Sequence, residues 1–517
     1  MKLSHKEFKQ NQEKYAEYVR LGALRWLHSI DLNSFSPTYG VADREYWSWK
    51  TKDFPNGTWQ GGLLGFLETT PFLSLNSEQI QIIVSACLKG TQFIQRKNGS
   101  FEEAYPLESS VCVTGLVIFC LLVSFYKHPQ FFKQKDLEIL KSIVDPAMLF
   151  LLKNPETHGL IANHQVTILL AIELADFFLK NKKEKTHIKE LKQLQHPKEF
   201  WFPEYGGADP GYQTLLNHYL ICGGSILKDA EVIEMISKSV SFISNFCFPD
   251  GTFAGEIGSR GTSIFYPSGS FNLTETFSLE PSTTTLWFLN MHINTLGCIN
   301  PLNVDAGNFV PVFNAWACAV KGILNTEKIK ETQLVKNSTS ILKDAGLIIK
   351  RNPKTVIVIS TKYSVIRKTI FKKTQGWQDD SLVGWMKENK TTQGITPDHL
   401  IINKKSIISW QYRSSEYSCK LNNMMTSIFL RFFSFVTYYF PFLQRILKRL
   451  LVFFVMKKRK NKPTPLKIAI DLTNPNYPLR VSENMDGWAP CRNGFHNHMA
   501  SANTFDNRSI REHHDVS

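Results

Sequence analysis

The sequence predicts a multidomain α and β protein: an N-terminal α/α toroid, then an all-β sandwich carrying a hydrophobic helical insertion. Three observations carry this expectation. A turn signature recurs as Asn56-Gly57-Thr58-Trp59-Gln60, Asn98-Gly99-Ser100-Phe101-Glu102 and Asp250-Gly251-Thr252-Phe253-Ala254. The first two copies stand about one helix pair apart, as stacked helical hairpins require. The segments 78–95, 109–125 and 160–178 are apolar on most or all faces, which places helices in an inner layer. From about residue 340 short β-branched runs separated by turn residues replace the helical periodicity. The expected division is 1–335 for the toroid and 345–510 for the sandwich, with a linker near 322–342 and an insertion at 425–462.

Taken in order, residues 7–30 repeat apolar positions at helical spacing, among them Tyr15, Val19 and Leu27. The stretch 39–50 gathers Tyr46, Trp47 and Trp49 among charges and reads as a loop, suited to stacking on a sugar or to being tacked down by its aromatics. Residues 203–219 begin as a loop held irregular by Gly206, Gly207 and the Pro210-Gly211 pair. Asp209 before Pro210 then marks a helix N-cap with proline in the first turn. At about 100° per residue, Gln213 and Asn217 share a face beside the one that holds Tyr212 and Tyr219. His218 falls on the opposite side. The runs 355–360, 368–371, 399–402, 406–412, 466–472 and 479–481 read as strands.

Residues 428–456 interrupt the β pattern with a Phe-, Leu- and Tyr-rich segment broken at Pro441 and punctuated by Arg445, Lys448 and Arg449; Lys457-Lys458-Arg459-Lys460 follow. Neither apolar half reaches the roughly 20 residues that span a bilayer. Basic residues among large apolar ones suit a helical hairpin lying on an anionic membrane surface. A packed insert or a partner-binding hairpin is the alternative. His496 and His498 would share one face of a strand and could hold zinc, but no third ligand is evident, so no cofactor is expected. Residues 507–517 read as a solvated tail.

The formal charge of +15 fits nucleic acid, an anionic membrane or an acidic polymer. No compact Lys/Arg stripe with interleaved aromatics occurs in the first 340 residues, which argues against nucleic acid. The nine cysteines are scattered, mostly in apolar company, and no CxxC occurs. Buried free thiols in a reducing compartment are expected. The segment 1–9 has no apolar core of a secretory signal. The expectation is a cytoplasmic protein, peripheral on the inner face of the membrane.

Four short motifs carry a family resemblance: Gly159-Leu160-Ile161-Ala162-Asn163-His164, Asp209-Pro210-Gly211-Tyr212, Asn217-His218-Tyr219 and Gly258-Ser259-Arg260-Gly261. With the toroid-plus-sandwich order over roughly 50–510, the chain resembles the heparinase II/III-like and alginate-lyase-like polysaccharide lyases. Its Pro210 departs from their Asp-Gly loop pattern. The helix pairs around 95–115 also look like terpene-cyclase toroids, but Asp379-Asp380 falls in the β region and lends that chemistry no support. The resemblance implies β-elimination on an acidic polysaccharide or lipid-linked oligosaccharide. That reaction needs a uronate carboxylate neutralised by Asn, Gln, His or Arg, a base for the adjacent proton and an acid for the leaving oxygen. Tyr212, His164, Asn163 and Arg260 are the catalytic candidates. Gln165, Gln213, Asn217, Trp59, Glu103 and Glu256 are the substrate-binding candidates. Two alternatives remain open. One is a glycoside hydrolase using a pair among Glu102, Glu103, Glu108, Asp209 and Glu256. The other is a non-catalytic glycan-binding or scaffold protein of a polysaccharide assembly system.

Overall fold

The computed structural model describes residues 4–48, 52–156, 160–180, 186–271, 283–326, 337–388, 390–392, 395–402, 407–416, 424–440, 443, 446, 462–481 and 487–491. Helices fill the N-terminal part and antiparallel sheets the C-terminal part. Trp49, His496, His498 and most of the second half of the insertion lie outside the described residues.

Helix α1 (His5–Leu27) starts where Ser4 and Glu7 form a capping box, and it buries Tyr15, Val19, Ala23 and Trp26. The expected loop after it contains a one-turn helix, α2 (Arg44–Trp47), and Trp47 Nε1 donates to the Ser29 carbonyl at 2.7 Å. That aromatic is therefore structural. The three recurring turns share one device: Asn56, Asn98 and Asp250 each accept the backbone N–H two residues on through the side-chain oxygen.

Five helices pack in succession: α3 (Leu63–Thr69), α5 (Val111–Lys127), α7 (Ala162–Phe178), α9 (Pro210–Leu227) and α12 (Phe309–Leu324). Each touches the next, and α12 meets both α3 and, lightly, α9, so the series closes on itself. These are the segments without a polar stripe, and α9 is buried without interruption from Pro210 to Gly224. Helices α4 (Ser77–Ile94), α6 (Gln134–Lys153), α8 (Thr186–Leu194) and α10 (Ala230–Ile243) flank them, with α11 (Thr283–Asn290) beside α1. The expected helix ends shift by one or two residues because the caps decide them: Asn76 opens α4 and Ser110 opens α5.

A two-residue ribbon, β1 (Pro203–Glu204) with β2 (Gly207–Ala208), precedes α9. The first C-terminal sheet is an antiparallel meander of β3 (Ser338–Leu342), β4 (Leu347–Asn352), β5 (Thr355–Ser360), β6 (Val365–Lys372) and β7 (Gly376–Asp379). The second joins β8 (Gly384–Lys387), β9 (Lys390–Thr391), β10 (Asp398–Ile402), β11 (Ile407–Glu416), β12 (Lys462–Asp471), β13 (Leu479–Val481) and β14 (Ala489–Cys491), all paired antiparallel. Strand β5 is buried on both faces, as its unbroken β-branched run requires. Val356 and Val358 join the helical core, while Ile357 and Ile359 join a second core with Trp385, Trp410 and Ile468 from the other sheet. The layers are thus helices, first sheet, second sheet. Arg351 fastens the first two by donating to the Ser244 and Asn245 carbonyls at 3.1 and 2.8 Å.

The described part of the insertion is helix α13 (Met424–Tyr438). Its apolar face points outward. Phe429, Phe432 and Phe435 are 60, 64 and 55% exposed, whereas Ser434 and Thr437 are buried. Arg431 pairs with Asp53 of the helical part. Among the described residues no helix is long and apolar enough to cross a membrane.

Candidate functional site

The site begins with the ribbon. Tyr205 and Gly206 both adopt positive φ, 50° and 84°, and this tight turn folds Glu204 back beside Gly207. The ribbon also bridges the segment that leads into α7: Glu204 pairs with Ile161, and Tyr205 N–H donates to the Leu160 carbonyl at 3.0 Å. Ile161 stands at the N-cap of α7 and has no side chain that can cap. Glu204 does this from another part of the chain. Its Oε1 accepts the Asn163 backbone N–H at 2.9 Å and the Asn163 side-chain amide at 2.8 Å. A carboxylate suits a helix N-terminus electrostatically as well. Asn163 is therefore not the N-cap but a residue whose amide is oriented by Glu204.

Asp209 organises the next helix. One oxygen caps α9 by accepting Tyr212 N–H at 3.0 Å; the other accepts Arg260 N–H at 2.9 Å. The loop that carries Arg260 is laced to the ribbon by Ser259, whose N–H donates to the Ala208 carbonyl and whose hydroxyl donates to the Glu204 carbonyl. Arg260 then lies over the Tyr212 ring at 3.9 Å and the Tyr205 ring at 5.2 Å. Its guanidinium stands 3.7 Å from Glu204 Oε2. Gly207 is needed here, because a Cβ would fall 2.4 Å from Tyr363 Oη and 2.8 Å from Ser259 Cβ. Tyr363, from the turn between β5 and β6, brings the first sheet to the edge of the site.

His164, one residue past Asn163, holds Glu156 through Nδ1 at 3.0 and 3.1 Å. Its side chain is 24% exposed, against 3% for Glu156, so the imidazole is the more exposed partner and the carboxylate the buried one. Burial works against the imidazolium, but Cys112 and the Glu156 carboxylate outweigh it and hold His164 well above its usual range. Burial raises Glu204 despite Arg260 and the Asn163 donors. It also raises Asp209 despite its backbone donors. Burial pushes the Tyr212 phenol well up, although Arg260 pulls the other way. Arg260 keeps its charge, because Tyr212, Glu204 and Asp209 exceed the cost of its burial.

Asn163 and Arg260 are thus joined through Glu204, and Tyr212 through Arg260, with His164 and Glu156 adjoining. Glu103 approaches the same side, accepting from Ser110 Oγ at 3.2 Å and acting electrostatically on Cys112. Gln165 is half-buried in the first turn of α7. The other expected contacts lie elsewhere. Gln213 is buried and ties Phe202 N–H, the Phe200 carbonyl and Ser239 together. Asn217 is 2% exposed and packs beneath Gly269, where a Cβ would fall 2.4 Å from Asn217 Cβ. Helical spacing gave their shared face correctly, but that face meets the Phe200–Phe202 segment, helix α10 and Gly269. Trp59 packs at a tilt against Phe309 with ring centroids 5.4 Å apart, and its carbonyl accepts from Trp26 Nε1. Glu256 is held by Arg367 at 3.1 Å.

The carboxylates weighed for hydrolysis are engaged in holding loops. Glu108 accepts from the N–H groups of Glu103 and Ala104, Glu102 faces Arg96 at 3.5 Å, and Asp209 is fully buried on backbone donors. A depression of about 370 Å³ is lined by Tyr46, Asp53, Phe93, Arg96, Lys97 and Glu102, none of them a residue of the Glu204 cluster. Residues that sequence reasoning missed are Glu204, Tyr205 and Glu156. The Tyr205-Gly206 turn was the available signal for the first two, since such a turn aligns its flanking residues; nothing marked Glu156. Two groups of metal-ligating side chains occur among the described residues: His196, Glu199 and Asp344, and the buried set His218, Cys222 and Cys318. In the first, Glu199 is already occupied by the N–H groups of Asp344 and Ala345 and by Trp201 Nε1.

A scan against models of known protein families and a search of curated proteins found no match to this chain.

Proposed function

We propose that the protein is a heparinase II/III-like polysaccharide lyase that cleaves an acidic polysaccharide or lipid-linked oligosaccharide by β-elimination at a uronate. The closed helical series is the α/α toroid of such an enzyme, the two sheets its β-sandwich, and the N-terminal ends of α5, α7 and α9 form the cup. One observation carries the reading: Asn163, Glu204, Arg260 and Tyr212 interlock at two of those helix starts, with the His164–Glu156 pair beside them.

In this reading the substrate carboxylate is neutralised by His164, by the Asn163 amide and by Arg260, which moves from Tyr212 toward the anion. Neutralisation lets the carbon next to the carboxylate give up its proton. Tyr212, thereby uncovered, takes that proton as phenolate. The electron pair forms the ring double bond, the bond to the glycosidic oxygen breaks, and the phenol returns the proton to that oxygen. Because burial pushes the Tyr212 phenol up, turnover rises toward alkaline pH.

The surface of α13 favours a substrate at a membrane. Its outward aromatics and the basic residues that follow in sequence suit an anionic leaflet, and the Arg431–Asp53 pair ties the helix to the toroid. The protein then works peripherally on the inner face of the membrane.

The test is incubation with uronate polymers. The expected result is a gain in the ultraviolet absorbance of a conjugated unsaturated uronate, abolished in a folded Tyr212→Phe variant. Saturated products would indicate hydrolysis, and absence of turnover on all acidic glycans would leave a binding protein.

A further inference from the structure

We propose that His218, Cys222 and Cys318 bind one thiophilic metal ion, zinc(II) or copper(I), that clips α9 to α12 inside the helical ring. This site is independent of the reaction proposed above.

The donor atoms of these three residues all lie within 4.8 Å of one another. His218 and Cys222 stand one helical turn apart on α9, so they share a face; Cys318 comes from α12. The three are 0, 2 and 3% exposed. Cys222 Sγ is 3.7 Å from His218 Nδ1. Bonds of about 2.3 Å to sulfur and about 2.0 Å to nitrogen in a tetrahedral site set neighbouring donors about 3.5 Å apart. The observed spacing is close to that without any movement of the helices.

The imidazole is unusual in its burial. Ser268 Oγ lies 2.8 Å from Nδ1, but the fully buried Nε2 has no hydrogen-bond partner. Cys222 Sγ and Ser268 Oγ both stand against Nδ1, so the metal binds at Nδ1, with Ser268 Oγ beside the remaining coordination position. The charge balance also fits a dry core. Zinc(II) displaces the two thiol protons to solvent, and two thiolates cancel its charge. The position gives the clip a purpose: α9 and α12 are where the ring closes, and their direct packing is slight.

The experiment is metal analysis of the full chain purified under reducing conditions. About one zinc per chain is expected. Cys222→Ser and Cys318→Ser should each lose it, whereas Cys120→Ser, which removes a neighbouring buried thiol, should keep it. Because a core serine can impair folding, wild-type protein is also stripped with a chelator and reloaded with cobalt(II). Thiolate-to-cobalt charge-transfer and intense tetrahedral visible bands are then expected. Stoichiometric copper(I) in place of zinc also supports the site. The proposal is overturned if reduced protein takes up none of zinc(II), cobalt(II) or copper(I). Retention of the metal by both serine variants overturns it, as does a Cys222–Cys318 disulfide in a non-reducing peptide map.

Discussion

Asp209→Ala offers a quantitative test of how the site is held together. The carboxylate is fully buried and serves two elements at once, capping α9 through Tyr212 N–H and fixing the Arg260 loop through Arg260 N–H. Loss of an N-cap costs about 1 kcal/mol. Leaving the Arg260 N–H without its acceptor costs a further ~1–3 kcal/mol. The sum is a destabilisation of about 2–4 kcal/mol. Asp209→Asn separates the two parts. Its carbonyl oxygen still caps Tyr212 N–H, but its amide presents a donor to Arg260 N–H, so about half of the loss should remain. Urea unfolding followed by far-ultraviolet circular dichroism measures both variants against wild type. If Asp209→Ala falls within about 0.5 kcal/mol of wild type, the usual scatter of surface substitutions, the two-element role of Asp209 is wrong.

Glu156→Gln should lower the His164 titration midpoint, read from imidazole NMR signals, because it removes the carboxylate that holds the charged form; an unchanged midpoint would discredit the pair. The sign for stability follows: His164 is raised on folding, so its contribution is full below about 6.5 and disappears as pH rises through the folded value. Wild type should therefore lose its advantage over His164→Gln in alkaline urea titrations, and a constant advantage would contradict this. Gly90→Ala should destabilise by more than about 2 kcal/mol, since a Cβ there would fall 2.0 Å from the Gly40 carbonyl carbon. Normal thermal unfolding of that variant would show that the 31–43 loop yields easily. Deleting 428–460 should release the protein from anionic liposomes while leaving its helical circular dichroism, and neutralising Lys457 to Lys460 should weaken binding to anionic vesicles only. Intact protein that stays in the supernatant at low salt would rule out the membrane surface.

Much of the architecture was legible because local chemistry decides it. Asp209 and Pro210 carry both halves of a helix start, and α9 begins there. Helices α5 and α7 read as inner because no polar stripe interrupts them, and the run 355–360 matches β5 residue for residue. The site was legible only in part. The ribbon brings Glu204 to Asn163 through a bridge between distant segments, and no spacing in the sequence encodes that approach. Gln213 and Asn217 show the complementary limit. A helical wheel relates residues to one another but not to the cleft, and in a helix buried all round polar side chains are satisfied internally. The insertion was legible as aromatic and basic; that α13 turns Ser434 inward and Phe432 outward was not.

The central claim is elimination at Tyr212, and mass spectrometry of the product tests it most directly. From a uronate polymer, wild-type protein should release fragments whose new non-reducing ends are lighter by one water than hydrolysis products, and folded Tyr212→Phe should release none. Fragments carrying the full water, or undiminished release by Tyr212→Phe, would contradict the account.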